Sequence, residues 1–197
     1  MGFFQTYTHT FKHGIHPPEN KDETNGLPIR QFPFAKELII PMSQHLGAPA
    51  QIIVREGQEV YRGQLIARAA SYMSVPIHSP VSGTVTRIGM VPTLAGSMIE
   101  GVYLQPFPYS GQEVAEGTPV PLETATPEEI LQAIQDCGIV GLGGAAFPTH
   151  VKLKVPEGKK CEYLILNGIE CEPFLTTDHR VMLEPAEDIY MGIRYLM

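Results

Sequence analysis

A glycine-rich stretch from Gly138 to Lys152 constrains the second half of this chain more than any other feature. Three glycines, Gly141, Gly143 and Gly144, lie within four residues of one another. Because glycine has no Cβ, closely spaced glycines let backbone N–H groups turn toward one point that an anion can approach. A phosphate fits such a loop, and Lys152 would supply the countercharge. The same spacing also suits an ordinary turn between a strand and a helix, so both interpretations stay open.

An apolar run after this loop predicts a strand that contributes to the same site. Residues 163–166, with the sequence YLIL, are typical of a buried parallel strand. Open α/β sheets bind ligands at the carboxyl ends of their strands. The polar residues that follow this run are Asn167, Glu170 and Glu172. The combination predicts a nucleotide-type site with a flavin phosphate as the first candidate. The alternative is that Asn167 begins a simple turn and that one of the two glutamates is a solvated surface residue.

The first half of the chain predicts a small all-β unit over residues 35–111. Its short apolar runs alternate with glycine and proline, and the segment GQEVYRG at 57–63 recurs in part as GQEVAEG at 111–117. A half-repeat around a central turn is typical of the barrel-sandwich hybrid of biotinyl and lipoyl carrier domains. A carrier needs a lysine at its hairpin tip, but no lysine occurs between Lys36 and Lys152. The unit is therefore predicted to be a docking surface or a lid rather than a carrier.

The remaining segments complete an α+β multi-domain prediction. Residues 1–34 are expected to be an extended arm that lies across a neighbouring domain, because His16-Pro17-Pro18 excludes a helix. Residues 112–126, rich in Glu, Thr, Pro and Gly, are expected to form a linker. Residues 127–197 are then expected to be the N-terminal part of an α/β domain that binds a flavin or another nucleotide.

Local signals predict two helices in this last segment. The first has Thr126 as its N-cap, Pro127 as its first residue and Glu129 in position to close a capping box, and it ends at Gly138. The second begins at Pro185 and has apolar residues at helical spacing.

Composition excludes several classes of function. The net charge of −7 without a basic cluster argues against a nucleic-acid partner. No apolar run approaches the length of a membrane span. The cysteines include no C-x-x-C pair, so they predict free thiols rather than a zinc or iron–sulfur site. No metal role is assigned to the arm histidines either, since they lack a nearby carboxylate. These residues are Cys137, Cys161 and Cys171, and His9, His13 and His16.

The motifs of both halves resemble one protein family. The sequences GLGGAAFPTHVKL at 141–153 and LILNGIECEPFLTTDHRVML at 164–183 resemble the C subunit of Rnf-type electron transport complexes. More distantly, they are similar to the flavin-bearing, NADH-binding subunit of respiratory complex I, which has a GxGGxxFPxxxK loop and an N-x-x-E-x-E-P segment in the same order. The sequence HGIHPPENK at 13–21 and the stretch at 41–66 also resemble the Rnf C subunit. The resemblance covers nearly the whole chain.

The resemblance implies a role for each matching residue. The residues that would hold the phosphate and ribityl chain of flavin mononucleotide (FMN) are Gly141, Gly143, Gly144 and Lys152. Asn167 and Glu170 would contact the flavin, and Phe147 and Glu172 would face the nicotinamide nucleotide. The complex I pattern has an arginine where Leu142 stands and an aspartate where Ile169 stands. Flavin contacts are therefore expected to be weaker or differently arranged.

The resemblance also implies a function. It points to an NADH-dependent oxidoreductase subunit that moves electrons between NAD(H) and iron–sulfur carriers through FMN. Such a subunit belongs to an ion-translocating complex and is peripheral, on the cytoplasmic face of the inner membrane, with the other subunits as partners. In these families two 4Fe–4S clusters and further nucleotide-contacting loops come later in the sequence. The chain is therefore expected to be part of a longer subunit and to form an incomplete flavin site by itself.

Two alternative functions stay open. A cobalamin reductase of bacterial microcompartments resembles the same pattern. A flavin-free scaffold, in which the β unit and the glycine loop serve assembly of a complex, is a different class. Bound flavin would separate the two enzymes from the scaffold.

Overall fold

The computed structural model describes residues 17–93, 96–115 and 117–197. They fall into two compact units. We call residues 32–162 the barrel unit, and we call the unit with described residues 17–31 and 163–197 the terminal unit. The arm residues His9 and His13 lie outside the described residues, as does His16. The domain boundaries expected at residues 34, 111 and 126 stay a prediction.

The first seven strands of the barrel unit form two small antiparallel sheets. One has the order β1-β7-β6-β3 and the other the order β2-β4-β5. The strands are β1 (Leu38–Pro41), β2 (Gln51–Ile52), β3 (Glu59–Val60), β4 (Leu65–Arg68), β5 (Ile77–His78), β6 (Gly83–Pro92) and β7 (Met98–Pro106). All of them lie within the predicted all-β segment.

The core of this unit is aliphatic and centres on the long β6–β7 hairpin. Val85 of β6 pairs with Leu104 of β7, and Val102 lies two residues before Leu104 on the same strand. All three side chains are fully buried, and Val60 and Ile66 from shorter strands pack into the same cluster. Alternate residues of a strand point to the same face, so each strand contributes its apolar face to one shared interior.

The two copies of the half-repeat contribute differently to this unit. The first copy places Val60 in the core through β3. The second copy buries the polar side chain of Gln112, which accepts from the Ser82 N–H at 2.7 Å and donates to the Ser82 carbonyl at 3.0 Å. The Ala115 N–H donates to the Arg62 carbonyl at 2.7 Å. Residues 112–115, the beginning of the predicted linker, are therefore bonded to the turns of the strands.

The glycine loop also belongs to the barrel unit. Helix α1 (Pro127–Asp136) begins with the predicted capping box, in which the Glu129 N–H donates to Thr126 Oγ1 at 3.2 Å and the Thr126 N–H donates to the Glu129 carboxylate at 2.8 Å. The loop follows as an antiparallel pair, β8 (Val140–Gly141) and β9 (Phe147–Pro148). Helix α2 (Thr149–Leu153) begins directly after β9. The predicted helix and its cap are confirmed.

The terminal unit contains helices α3 (Thr177–Leu183) and α4 (Ala186–Leu196). Pro185 immediately precedes α4, which confirms the predicted start of that helix. The strand predicted at 163–166 is wrong, because the chain there has no strand, and Tyr163 and Ile165 are 83% and 87% exposed. A parallel strand must exchange backbone hydrogen bonds with a neighbouring strand. The described residues of the terminal unit supply no such neighbour.

A buried histidine makes the stability of the barrel unit depend on pH. His45 Nε2 accepts the Val75 N–H at 3.2 Å, so this nitrogen carries no proton. Burial lowers the pKa of His45, although the nearby polar backbone of Ala48 opposes this. The unfolded chain has its histidine pKa near about 6.5 and so takes up a proton first as the pH falls. The stability that neutral His45 contributes is thus present above about pH 6.5 and is lost as the pH falls toward the lower folded-state pKa.

We therefore expect the urea concentration at the unfolding midpoint of the barrel unit to decrease as the pH is lowered from about 7.5 to about 5.5. The fall should be smaller in His45→Gln, whose amide oxygen can accept the same N–H but does not titrate. The midpoint can be followed by the amide signals of β6 and β7. Burial also lowers the pKa of His78, although the charge of Asp136 opposes this shift. His78→Gln is therefore the comparison variant, which measures the part of the decrease that comes from His78. An unchanged pH dependence in His45→Gln would contradict the assignment to His45.

Candidate functional site

The tip of the glycine loop exposes bare backbone. Residues 142–145 form the turn between β8 and β9, and a Cβ added to Gly143 or Gly144 would meet no atom within 4 Å. Ala146, which follows the turn, has a φ of +50°, a left-handed conformation that is uncommon for a residue with a side chain and is frequent near functional sites. An anion can therefore approach the backbone of Gly143 and Gly144 without meeting a side chain of either residue.

Lys152 lies against the base of this loop. A methyl group placed on Gly141 would overlap the Lys152 Nζ, so the bare backbone of Gly141 lets the flexible amine rest directly against it. Lys152 belongs to α2, which begins directly after Phe147 and Pro148 complete β9. The structure thus brings together Gly141 and Lys152, two of the four residues predicted from sequence to serve one phosphate. Their role as phosphate ligands stays a prediction.

Two other positions of the loop bear on the predicted flavin contacts. Phe147 is half-buried and pairs with Gly141 across the β8–β9 ladder. Leu142, at the position where the complex I pattern has an arginine, is 88% exposed at the start of the turn. The apolar side chain therefore projects into solvent and offers no charge to a ligand.

The second predicted segment lies in the terminal unit. The Asn167 side-chain oxygen accepts the Ile169 N–H at 3.0 Å, which closes the local turn that was the alternative interpretation of Asn167-Gly168. Glu172 is exposed, and Glu170 is half-buried. The Glu170 carboxylate accepts the His179 N–H at 3.3 Å in the first turn of α3. The structure therefore joins Glu170 to α3 rather than to Asn167.

The surroundings of Glu170 favour its charged form. Burial works against ionisation, but the N–H groups at the start of α3 and the charge of Lys21 outweigh it, so the pKa of Glu170 is lowered. These N–H groups belong to Thr177, Asp178 and His179. The carboxylate supplies negative charge where the free N–H groups of a helix start favour it.

Lys21, to which the sequence analysis assigned no role, contacts the segment around Glu170. Its Nζ donates to the carbonyl of Glu170 at 2.6 Å and to the carbonyl of Leu175 at 3.0 Å. Beside it, Thr24 Oγ1 donates to the Phe174 carbonyl at 2.9 Å, and the Phe174 N–H donates to the Glu19 carbonyl at 2.8 Å. Lys21 ends the HGIHPPENK motif, which carried part of the family resemblance but no residue role. The amine holds the backbone on both sides of Glu172.

Arg180 extends these contacts along α3. It forms an ion pair with Glu184, one turn later on the same helix, and its guanidinium donates to the Asn25 carbonyl at 3.1 Å. The Glu184 carboxylate also accepts the Ile29 N–H at 3.0 Å. The Arg180 hydrogen bond and the Ile29 N–H lower the pKa of Glu184. Residues 19–29 are thus attached to α3 and to the segment before it.

Other candidate sites are limited. In the described part of the chain, no group of three or more His, Cys, Asp or Glu residues is placed to hold a metal ion. No helix among the described residues combines the length and the apolar character that crossing a membrane requires. Cys137, Cys161 and Cys171 are exposed thiols outside any disulfide of the described residues.

We expect Lys21→Met to loosen residues 170–175, because the variant keeps an apolar stem but loses both hydrogen bonds to the backbone. Amide hydrogen exchange there should rise by about tenfold. Arg30→Met, which removes an exposed cation of the same arm, should leave the rate unchanged. Equal rates in Lys21→Met and the unmodified chain would show that Lys21 does not hold this segment.

Comparison with known protein families identifies both parts of the chain. The family described as RnfC Barrel sandwich hybrid domain matches residues 9–106. The family described as Nuo51 FMN-binding domain matches residues 134–197, which contain the glycine loop, Lys152 and the segment with Asn167, Glu170 and Glu172. The predicted fold class, a barrel-sandwich hybrid followed by part of a flavin-binding domain, is confirmed.

Curated relatives match almost the whole chain. The C subunit of the Na⁺-translocating ferredoxin:NAD⁺ oxidoreductase complex of Acetobacterium woodii is 40% identical over 191 residues, which are 95% of this chain and 42% of the relative. The C subunit of the proton-translocating ferredoxin:NAD⁺ oxidoreductase complex of Clostridium ljungdahlii is 38% identical over 95% of this chain and 41% of its own length. The C subunit of the ion-translocating oxidoreductase complex of Haemophilus influenzae is 37% identical over 94% of this chain and 29% of its own length.

The chain therefore spans less than half the length of each of these relatives. Its two matched segments lie in the order expected from the sequence motifs, barrel first and FMN-binding segment second. The chain is thus similar over almost its whole length to C subunits of ion-translocating oxidoreductase complexes, and residues 9–106 match the RnfC family.

Proposed function

We propose that this chain contributes the FMN phosphate site of an electron-transfer subunit, which moves electrons between NAD(H) and iron–sulfur carriers. One observation carries the proposal. The Lys152 amine lies against Gly141 at the base of a loop whose tip, Gly143 and Gly144, is open to an approaching group. This arrangement lies within the segment that matches the FMN-binding family.

The loop has the properties that a phosphate needs. A phosphate monoester carries close to two negative charges and several acceptor oxygens at neutral pH. Bare backbone supplies N–H donors at close range, and an exposed lysine supplies charge without fixing one geometry. No carboxylate among the described residues forms an ion pair with Lys152, so its charge is available to a ligand. The residues present therefore fit the phosphate end of FMN.

The remaining site residues keep the roles that the family resemblance implies. Asn167 and Glu170 are proposed to contact the flavin, and Phe147 and Glu172 the nicotinamide nucleotide. The flavin, when bound, would accept two electrons as hydride and release them singly, while the protein supplies position and electrostatics. Leu142 and Ile169 replace polar residues of the complex I pattern, so we expect modest FMN affinity for this chain.

The partners follow from the relatives. Because these are named as C subunits of ferredoxin:NAD⁺ or ion-translocating oxidoreductase complexes, we propose that the chain works with other subunits of such a complex. We place it at the cytoplasmic face of the membrane, with NAD(H) as its substrate. The 4Fe–4S clusters would lie in the part of the relatives that this chain does not span.

An FMN titration followed by flavin fluorescence tests the proposal. We expect the chain to bind FMN and Lys152→Ala to weaken binding about tenfold, the effect of one lost charge-assisted hydrogen bond. Lys159→Ala is the matched control, since Lys159 is an exposed lysine beyond α2 and should leave affinity unchanged. Equal affinity in Lys152→Ala and the unmodified chain would refute the phosphate assignment.

The same titration on a protein of the relatives' full length separates the remaining possibilities. Binding only by the longer protein would mean that residues outside this chain complete the site. Absence of binding by both would favour the flavin-free scaffold and would overturn the proposed function.

A further inference from the structure

The loop between β4 and β5 comprises residues 69–76. We call it the tip loop. In this protein it lies against the elements that carry the glycine loop, and all of these contacts fall within the barrel unit. The tip loop contacts helix α1, Gly138 at the end of that helical segment, and helix α2. The tip loop is therefore a contact surface rather than a free end.

The contact with α2 is buried. His150, two residues before Lys152 on the same helix, is 3% exposed, and its Nε2 lies 2.8 Å from the Tyr72 carbonyl oxygen. Because a carbonyl can only accept, Nε2 must carry the proton and donate it. The His150 ring also meets the Tyr72 ring edge-on, with centroids 5.2 Å apart and an interplanar angle of 89°. A hydrogen bond and a ring contact thus hold α2 at one residue of the tip loop.

The contact with α1 involves its last turn. The Gln135 side chain donates to the Ser74 carbonyl at 2.9 Å. The Gln132 side chain, three residues earlier, donates within its own helix to Asp136 at 2.8 Å. Gly138 ends this helical segment with a φ of +72°, and a Cβ on it would lie 2.8 Å from the Pro76 carbonyl oxygen. Glycine at this position allows both the left-handed conformation and the close approach to the tip loop.

The tip loop is also hydrogen-bonded to the segment at residues 42–50. The Val75 N–H donates to His45 Nε2, and the Ala48 N–H donates to the Met73 carbonyl at 3.0 Å. The next residue along from His45 reaches the glycine loop directly, since the Leu46 N–H donates to the Ala146 carbonyl at 3.2 Å. Ala146, which follows the turn at 142–145, is the residue with the left-handed backbone conformation. Hydrogen bonds from residues 45–48 therefore hold both the tip loop and one end of the glycine loop in place.

We propose that the tip loop is a positioning element for the glycine loop, with Tyr72 and His150 as the principal pair. It sets the orientation of α2 and so the position of the Lys152 amine against Gly141. The ligand of that amine rests on the proposed function, but the positioning is a property of the protein that can be measured without a ligand. His150 and Gln135 are positioning residues in this scheme and do not touch the ligand.

Amide hydrogen exchange of the ligand-free chain tests the positioning. We expect His150→Ala and Gln135→Ala each to raise exchange across residues 139–153 by about tenfold, the effect of one lost buried hydrogen bond. Exchange in β6 and β7 should stay unchanged. Gln132→Ala, the same substitution one turn earlier on α1, should match the unmodified chain. His150→Gln keeps an N–H donor at the end of the side chain and should restore the rates to within about twofold.

Three outcomes would overturn the proposal. The first is an equal rise in β6 and β7, which would mean that His150 contributes only to overall stability. The second is an unchanged rate in both His150→Ala and Gln135→Ala. The third is equal exchange in His150→Gln and His150→Ala, which would exclude the hydrogen bond to Tyr72. Gln135→Ala and His150→Gln keep the test decisive if His150→Ala does not fold.

A titration with FMN separates this inference from the proposed function. If FMN binds, His150→Ala should weaken binding about tenfold, and adding Lys152→Ala should weaken it by less than the product of the two single effects, because both act on one amine. Fully multiplicative effects would overturn the coupling. Should the exchange results hold while neither this chain nor the longer protein binds FMN, the proposed function fails and the positioning element stands.

Discussion

A loop that offers bare backbone to a ligand has no side chains with which to fix its own shape, and this constraint governs the barrel unit. Gly143 and Gly144 leave the tip of the β8–β9 turn open, so the geometry of the turn depends on its neighbours. Those neighbours are the Tyr72–His150 contact on α2 and the hydrogen bond from Leu46 to Ala146. In both contacts the supporting residue, Tyr72 or Leu46, lies in the segment that matches the RnfC barrel sandwich hybrid domain, before the FMN-binding segment. Preorganised donors bind an anion better than donors that must first be ordered.

The same contacts bear on the prediction that this unit is not a carrier domain. A swinging arm requires a tip that is free to leave the body of its domain. Here Ser74, Val75 and Pro76 are buried, and the backbone of Met73 and Val75 is hydrogen-bonded to residues of another loop. The absence of a lysine between Lys36 and Lys152 fits this arrangement, since no group in the tip loop is available for an amide link to a cofactor. A barrel-sandwich fold is thus compatible with either a mobile or a fixed tip, and the packing around it decides which.

The charged side chains discussed above act over short distances in this acidic protein. The net charge of −7 repels an anion at long range, but screening limits that effect to about 10 Å or less at physiological salt. A single exposed lysine close to the backbone N–H groups can therefore dominate the field at the loop. In the terminal unit two cations serve structure instead. Lys21 holds two backbone carbonyls, and Arg180 pairs with Glu184.

Short-range rules made much of the chain predictable from sequence. The capping box of Thr126 and Glu129 involves groups three residues apart, and the left-handed end at Gly138 depends on one residue, so both follow from local chemistry. The proximity of Gly141 and Lys152 was also accessible, because a short hairpin and one helical turn separate them. The turn at Asn167 likewise needs only its own side chain and the N–H two residues later. Within these distances the sequence by itself determined the structure.

The tertiary structure decided what depends on partners distant in sequence. The run at 163–166 has the composition of a strand, but a strand forms only where another strand accepts its backbone hydrogen bonds, and composition does not reveal that partner. Tyr72 and His150 are 78 residues apart, and Lys21 and Glu170 are 149 residues apart, so no local pattern links them. The sequence therefore determined where the glycine loop lies in the chain and which lysine accompanies it. The fold decided which residues hold that loop in place, because packing between distant segments has no local signature.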